Sequence, residues 1–208
     1  MSGGLLLLTL CAVLVYCGIL QRVLDRMYLT DRQALLLIGL MIAGSFFPDI
    51  PLGPVRVNVG GALIPLGICA YLIFKADQMH ERLSAFIGSL LTAAAVFAVT
   101  KLLPAEAEQL ALDPMWIYGA SGGIIAWVLG RSRRNAFVCG VVGVTLADMI
   151  SGLSVRSIGT DQMIRLGGAG IADAAVLSGV IGVLLCETLG ELIERVARGE
   201  FGRRREAR

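Results

Sequence analysis

Arg131-Ser132-Arg133-Arg134-Asn135-Ala136-Phe137-Val138-Cys139-Gly140-Val141-Val142-Gly143-Val144-Thr145-Leu146-Ala147-Asp148-Met149-Ile150 opens with three arginines and continues as an apolar run whose single charge is Asp148. A basic cluster followed by an uninterrupted apolar run is the pattern of a helix that starts at the cytoplasmic face of a membrane and runs outward. The rest of the chain repeats it. Apolar runs recur at Leu5 to Leu20, Ala34 to Phe47, Val59 to Phe74, Leu83 to Leu103, Met115 to Leu129, Ala136 to Ile150 and Ile171 to Cys186. With 56% hydrophobic and 16% charged residues and a mean hydropathy of +0.78, the composition argues against an ordinary soluble domain.

The connections between runs alternate in positive charge. All but four of the 18 Lys and Arg residues fall on one side; the exceptions are Arg56, Lys101, Arg156 and Arg165. Because basic residues are retained in the cytoplasm, the expected architecture is an all-α bundle of about seven transmembrane helices, N-terminus outside and C-terminus cytoplasmic. Residues 1–190 form one transmembrane domain, and residues 191–208 an amphipathic, basic cytoplasmic tail. After the last apolar run Leu189, Leu192, Ile193 and Val196 recur at helical spacing before Arg203-Arg204-Arg205. The second, sixth and seventh runs are shorter than the roughly 20 residues a full crossing takes. The five cysteines lie inside apolar runs without metal-ligand spacing and read as buried hydrophobes.

Atypical sequence collects on the expected outer side. Pro48-Asp49-Ile50-Pro51-Leu52-Gly53-Pro54 rules out a continuous helix, and Val55-Arg56-Val57-Asn58-Val59 alternates as a short strand does. Ser154 to Ile158 and Gln162 to Leu166 flank Gly159-Thr160-Asp161, a hairpin-like pattern. The 2-3 and 6-7 loops are therefore expected to share a small extracytoplasmic β-cap. Val59-Gly60-Gly61-Ala62 and Leu166-Gly167-Gly168-Ala169 each open a helical run after an Arg-bearing segment. Such glycines serve either close helix packing or the presentation of helix N–H groups to an anion.

Asp148 and Asp173 are the most informative residues, because an unpaired carboxylate in hydrocarbon costs several kcal/mol. Asp148 is expected near the outer end of the sixth span and Asp173 near the outer start of the seventh, at similar depth. The alternative is that each is paired with Arg156, Arg165 or a helix N-terminus. The candidate ion, proton or substrate site comprises Asp148, Asp173, Asp49, Arg165, Asn58, Gly167 and Gly168, with Asn58 also a candidate helix cap and Asp49 a candidate third carboxylate. Pro65 is expected to kink the third span. Lys75, Asp77, His80, Glu81 and Arg82 read as a solvated cytoplasmic turn.

The stretches Asn58 to Pro65 and Arg165 to Asp173 together resemble the prokaryotic membrane-protein family called domain of unknown function 1614, over roughly Ala34 to Gly190. That family's pattern has Gly after the second carboxylate, where this chain has Ala174. The resemblance implies placement in a prokaryotic inner membrane and adds weight to Asp173, without implying an activity. Three functions follow from the residues. One is a carrier for a small solute or a cation or proton, with an outward-facing acidic site. Another is a non-catalytic membrane subunit or assembly factor. The third is an intramembrane aspartyl protease, whose dyad Asp148 and Asp173 would form although the flanking motifs depart from that class. No P-loop, dinucleotide fingerprint or nucleophile elbow occurs, so no cofactor is expected and enzyme chemistry is not required. Expected partners are membrane lipid, a small ion or solute, and a membrane-protein partner or second copy; nucleic acid is not among them.

Overall fold

The computed structural model describes residues 30–76, 78–102, 114–130, 132–159, 163–170 and 173–189. The expected first span Leu5 to Leu20, Asp77 of the expected cytoplasmic turn, residues 160–162 of the expected hairpin and the tail 191–208 lie outside them. The described elements are α1 (Asp31–Ser45), β1 (Ile50–Leu52), β2 (Val55–Val57), a π-helical turn (Val59–Leu63), α2 (Ile64–Phe74), α3 (Met79–Leu102), α4 (Pro114–Gly130), α5 (Arg133–Ser157), β3 (Ile164–Leu166) and α6 (Ala174–Leu189). Two of these, α3 and α5, are long and apolar enough to cross a membrane.

Local chemistry sets the helix ends. Thr30 and Gln33 form a capping box that starts α1, which stops before Pro48 because that ring cannot continue it. The Ser132 hydroxyl accepts the Asn135 N–H at 3.2 Å and starts α5, so Arg133 and Arg134 lie inside the helix rather than ahead of it. The sixth apolar run is therefore not short: α5 has 25 residues. Pro65 sits in the first turn of α2, at the junction with the π-helical turn, where its missing N–H is tolerated.

Small residues bring the helices together. Along α3 the buried positions Ala85, Gly88, Ser89, Thr92, Ala93 and Val96 form one stripe facing α5, where Cys139 and Gly143 oppose Gly88 and Thr92. The other hub is α6. Its first turns, Ala174 to Gly179, are buried throughout; Gly119, Gly122 and Gly123 of α4 admit Leu177, Ser178 and Ile181, and Gly140 of α5 admits the backbone at Ser178 and Gly179. Met41 of α1 packs on Val176, while Cys69 and Leu72 of α2 cluster with Val138, Val141 and Val183.

A three-stranded sheet of order β1-β2-β3 joins the two unusual loops at one end of these helices. β1 pairs antiparallel with β2, and β2 pairs parallel with β3, with Arg56 opposite Arg165. The hairpin expected around residues 159–161 is replaced by this arrangement. Ser154 to Ser157 continue α5, because serine and valine alternation in a helix that already has packing partners does not outweigh the helical hydrogen bonds of the preceding turns. β3 thus takes its partner from the distant β2. Val57, Ile164 and Leu166 are buried on one sheet face with Ala62, and Ile164 lies over Gly152 of α5.

The tightest contact is between the two glycine motifs. A Cβ on Gly60 would stand 2.2 Å from the Met41 carbonyl oxygen, and one on Gly61 would stand 2.4 Å from the Gly170 oxygen and 2.5 Å from the Gly167 oxygen. Gly167 and Gly170 have φ values of 70° and 62°, which glycine adopts without strain. Gly61→Ala is accordingly expected to cost on the order of 3 kcal/mol, since backbone atoms cannot give way as side chains do. Gly67→Ala, where nothing lies within 4 Å, is the control. Equal unfolding midpoints in detergent for the two variants would mean that the motifs do not meet as described.

Candidate functional site

The site is organised by Asn58, which is 5% exposed. Its Oδ1 accepts the N–H groups of Gly60 at 3.0 Å and Gly61 at 2.9 Å, and its Nδ2 donates to Asp49 Oδ1 at 3.0 Å. Its backbone N–H donates to the Leu166 carbonyl at 3.0 Å, so one residue ties the π-helical turn, the loop before β1 and the end of β3. Two expectations change here. The glycine N–H groups of the first motif are consumed by Asn58 and do not face an anion. Asp49 orients Asn58 and is not among the residues lining the recess described next.

The second motif is a turn rather than a helix start, because the left-handed residues Gly167 and Gly170 precede Asp173 and α6 begins only at Ala174. Gly167 packs against Gly61, and Gly168 is exposed. Asp173 is the cap of α6: Oδ1 accepts the Ala175 N–H at 3.1 Å and Oδ2 the Ala169 N–H at 3.4 Å. Those bonds tie the carboxylate both to the turn and to the first N–H groups of α6.

Asp148 is not at the end of its helix, since α5 continues for nine residues to Ser157, about 13 Å beyond it. Asp148 and Asp173 line one open recess of about 430 Å³, together with Tyr118, Ser151, Gly152, Met163, Ile164, Arg165, Ala169 and Ala174. That volume lies within the range of about 300–1,000 Å³ common to small-ligand sites. Neither carboxylate has an ion pair among the described residues. Ser151, one turn after Asp148, contributes a hydroxyl oxygen that is buried and, among the described residues, without a hydrogen-bond partner. Sequence reasoning missed Ser151 because reading residues 154–158 as a strand hid the i, i+3 relation to Asp148. Among the described residues no three His, Cys, Asp or Glu side chains converge. The recess therefore offers too few anionic ligands for a tightly held Ca²⁺ or Zn²⁺, which want six to eight oxygens or about four nitrogen and sulfur donors respectively.

At the opposite end of the bundle the charges are paired. Arg133 bonds to Glu187 of α6, and Arg134 to Glu81 of α3 at 3.4 Å. Arg82 donates to the carbonyls of Ala76 and Phe74 at the end of α2. Glu81 and Arg82 are thus joints between helices rather than parts of a free solvated turn.

A family whose description reads "Protein of unknown function (DUF1614)" matches residues 33–185, a stretch that runs from α1 into α6 and contains both glycine motifs and the whole recess. The chain belongs to that family. No curated protein and no solved structure matches it. In this DUF1614 protein the acidic recess is built on the Asn58 cap, which makes a direct test of the assembly available. Asn58→Ala removes the acceptor for two buried N–H groups and the partner of Asp49, with an expected cost of about 2–3 kcal/mol in unfolding experiments. Asn58→Asp keeps the acceptor but sets a carboxylate against Asp49, and is expected to recover stability as pH is lowered. An Asn58→Ala protein as stable as the parent would remove Asn58 from its organising role.

Proposed function

We propose that this protein is a multi-pass membrane protein of the prokaryotic inner membrane that binds a small monovalent cation, an ammonium-type group or a proton in its acidic recess. We assign the recess to the outer face as the ligand site of a carrier. The observation that carries this reading is that Asp148 and Asp173 share one open recess while no cation among the described residues pairs with either. Two carboxylates at the end of an apolar bundle are costly unless a counter-charge enters, and the cost becomes binding energy for that counter-charge.

Membrane placement is supported by an inverted distribution of polarity. The outward residues of α3 include Leu83, Phe86, Ile87, Leu90 and Leu91, all 47% exposed or more, whereas Ser89 and Thr92 on the same helix are buried. A continuous apolar exterior over a core of small and hydroxylated residues suits lipid as the surrounding medium. The division of basic residues supports the orientation, with Arg133 and Arg134 inward and the sheet outward. Below the recess the bundle is closed by glycine-mediated packing around Leu177 and Ser178, and the inner end is held by the two ion pairs. Passage of a ligand would therefore proceed by helix re-packing rather than through a standing pore. Asp173 already serves as a cap, which favours a ligand-binding role over a protease dyad that shares one proton between free carboxyls.

The test is ligand-dependent stabilisation of the purified chain in detergent, titrated with Na⁺, K⁺ and small primary amines. A ligand at 100 times its Kd adds about 2.7 kcal/mol to the folded state, enough to read in the unfolding midpoint. Stabilisation by at least one of these, lost in Asp148→Asn, is the expected result. If none stabilises the protein across pH 5 to 8, or if Asp148→Asn responds as the parent does, the recess is not a cation site, and a non-catalytic subunit role would take its place.

A further inference from the structure

The parallel pairing of β2 with β3 sets Arg56 directly beside Arg165. Neighbouring strands lie about 4.8 Å apart, and residues in register project to the same face. That face is the one opposite Val57, Ile164 and Leu166, and Pro51 of β1 is the next residue across. Like charges opposed on a sheet are destabilising. Among the described residues neither arginine has an ion pair or a side-chain hydrogen bond that would relieve the repulsion. Arg56 is half-buried and Arg165 exposed, so the pair is open to a ligand from outside.

One member of the pair also borders the acidic recess. Arg165 lines the recess with Asp148 and Asp173, and its aliphatic stem lies against Gly168, where a Cβ would stand 3.4 Å from Arg165 Cβ and 3.8 Å from Cδ. Two guanidinium groups side by side suit the oxygens of a carboxylate or phosphate, which they engage through paired N–H donors. The recess thus joins two carboxyl groups and the Ser151 hydroxyl oxygen to the positive charge of Arg165, with Arg56 next to Arg165 on the sheet.

We propose that Arg56 and Arg165 form an oxyanion subsite at the rim of the recess, and that the ligand is a zwitterion whose ammonium end faces Asp148 and Asp173 while its phosphate or carboxylate end lies on the two arginines. The assignment rests on the cation reading of the recess and adds the second half of the ligand. The same chemistry occurs in a free amino-phosphate or amino acid and in the ethanolamine-phosphate head group of a lipid.

The experiment compares ethanolamine, inorganic phosphate and phosphoethanolamine as ligands of the full chain in detergent, by calorimetry or unfolding shift. Phosphoethanolamine is expected to bind at least about tenfold tighter than ethanolamine, the effect of a charge-assisted bidentate contact. The ratio of the two affinities is expected to fall towards one in Arg56→Gln and in Arg165→Gln, and to persist in the remote Lys75→Gln. Micelles doped with phosphatidylethanolamine or phosphatidylcholine, run in parallel, identify the source: stabilisation by the former alone assigns the head group, and stabilisation only by soluble phosphoethanolamine assigns a free solute. If ethanolamine binds as tightly as phosphoethanolamine, or if both arginine variants keep the full ratio, the oxyanion subsite is wrong while the cation site stands. If neither amine binds and Na⁺ or K⁺ does, the zwitterion is wrong and the metal-cation form of the site remains. If no cation binds at all, both assignments fall.

Discussion

Everything at the sheet end of this protein depends on the approach of two backbones that side chains would prevent. Gly60 and Gly61 lie against Met41, Gly167 and Gly170 so closely that a single methyl group on any of the central residues would overlap a carbonyl oxygen or carbon. Close packing of main chain on main chain exposes N–H groups to burial, and burial without a partner costs roughly 1–3 kcal/mol for each. Asn58 removes that cost for Gly60 and Gly61 with one oxygen, and Asp49 holds its amide in the orientation required. The order of causes runs from glycine, which permits the approach, to asparagine, which satisfies it, to the turn at Gly167 to Gly170, which then delivers Asp173 to the start of α6.

The two ends of the bundle solve the problem of charge differently. At one end arginine and glutamate meet across helices, Arg133 with Glu187 and Arg134 with Glu81, and the charges are neutralised within the fold. At the other end carboxylates and arginines are held apart on different elements, Asp148 on α5, Asp173 at the head of α6, and Arg56 and Arg165 on the sheet. Separation of opposite charges that could have paired leaves their fields available to something else. In the packed middle Ser178 and Thr92 are fully buried, and among the described residues their hydroxyls have no hydrogen-bond partner.

Small residues occupy the helix interfaces: the stripes of Ala, Gly, Ser and Thr on α3, α5 and α6 supply contact area through closeness, while several bulky apolar residues of α3, Leu83, Phe86, Ile87, Leu90 and Leu91 among them, are left exposed.

From the amino acids alone came the helical class, the approximate positions of the apolar helices, the candidate cap Asn58 and both glycine motifs. These are properties of composition and local spacing, and each residue carries them wherever it lies. Partnership is different, because it depends on the path of the folded chain and not on sequence separation. That the glycine motifs touch each other, that Arg165 stands beside Arg56 rather than across a local hairpin, that Asp49 serves Asn58 instead of joining the other carboxylates, and that Ser151 shares the recess with Asp148 all required the folded chain. Residues 154–158 show why: a pattern of alternation permits a strand, but a helix already running through Asp148 gains a hydrogen bond for each residue it adds, and only the packing of α5 decided between them.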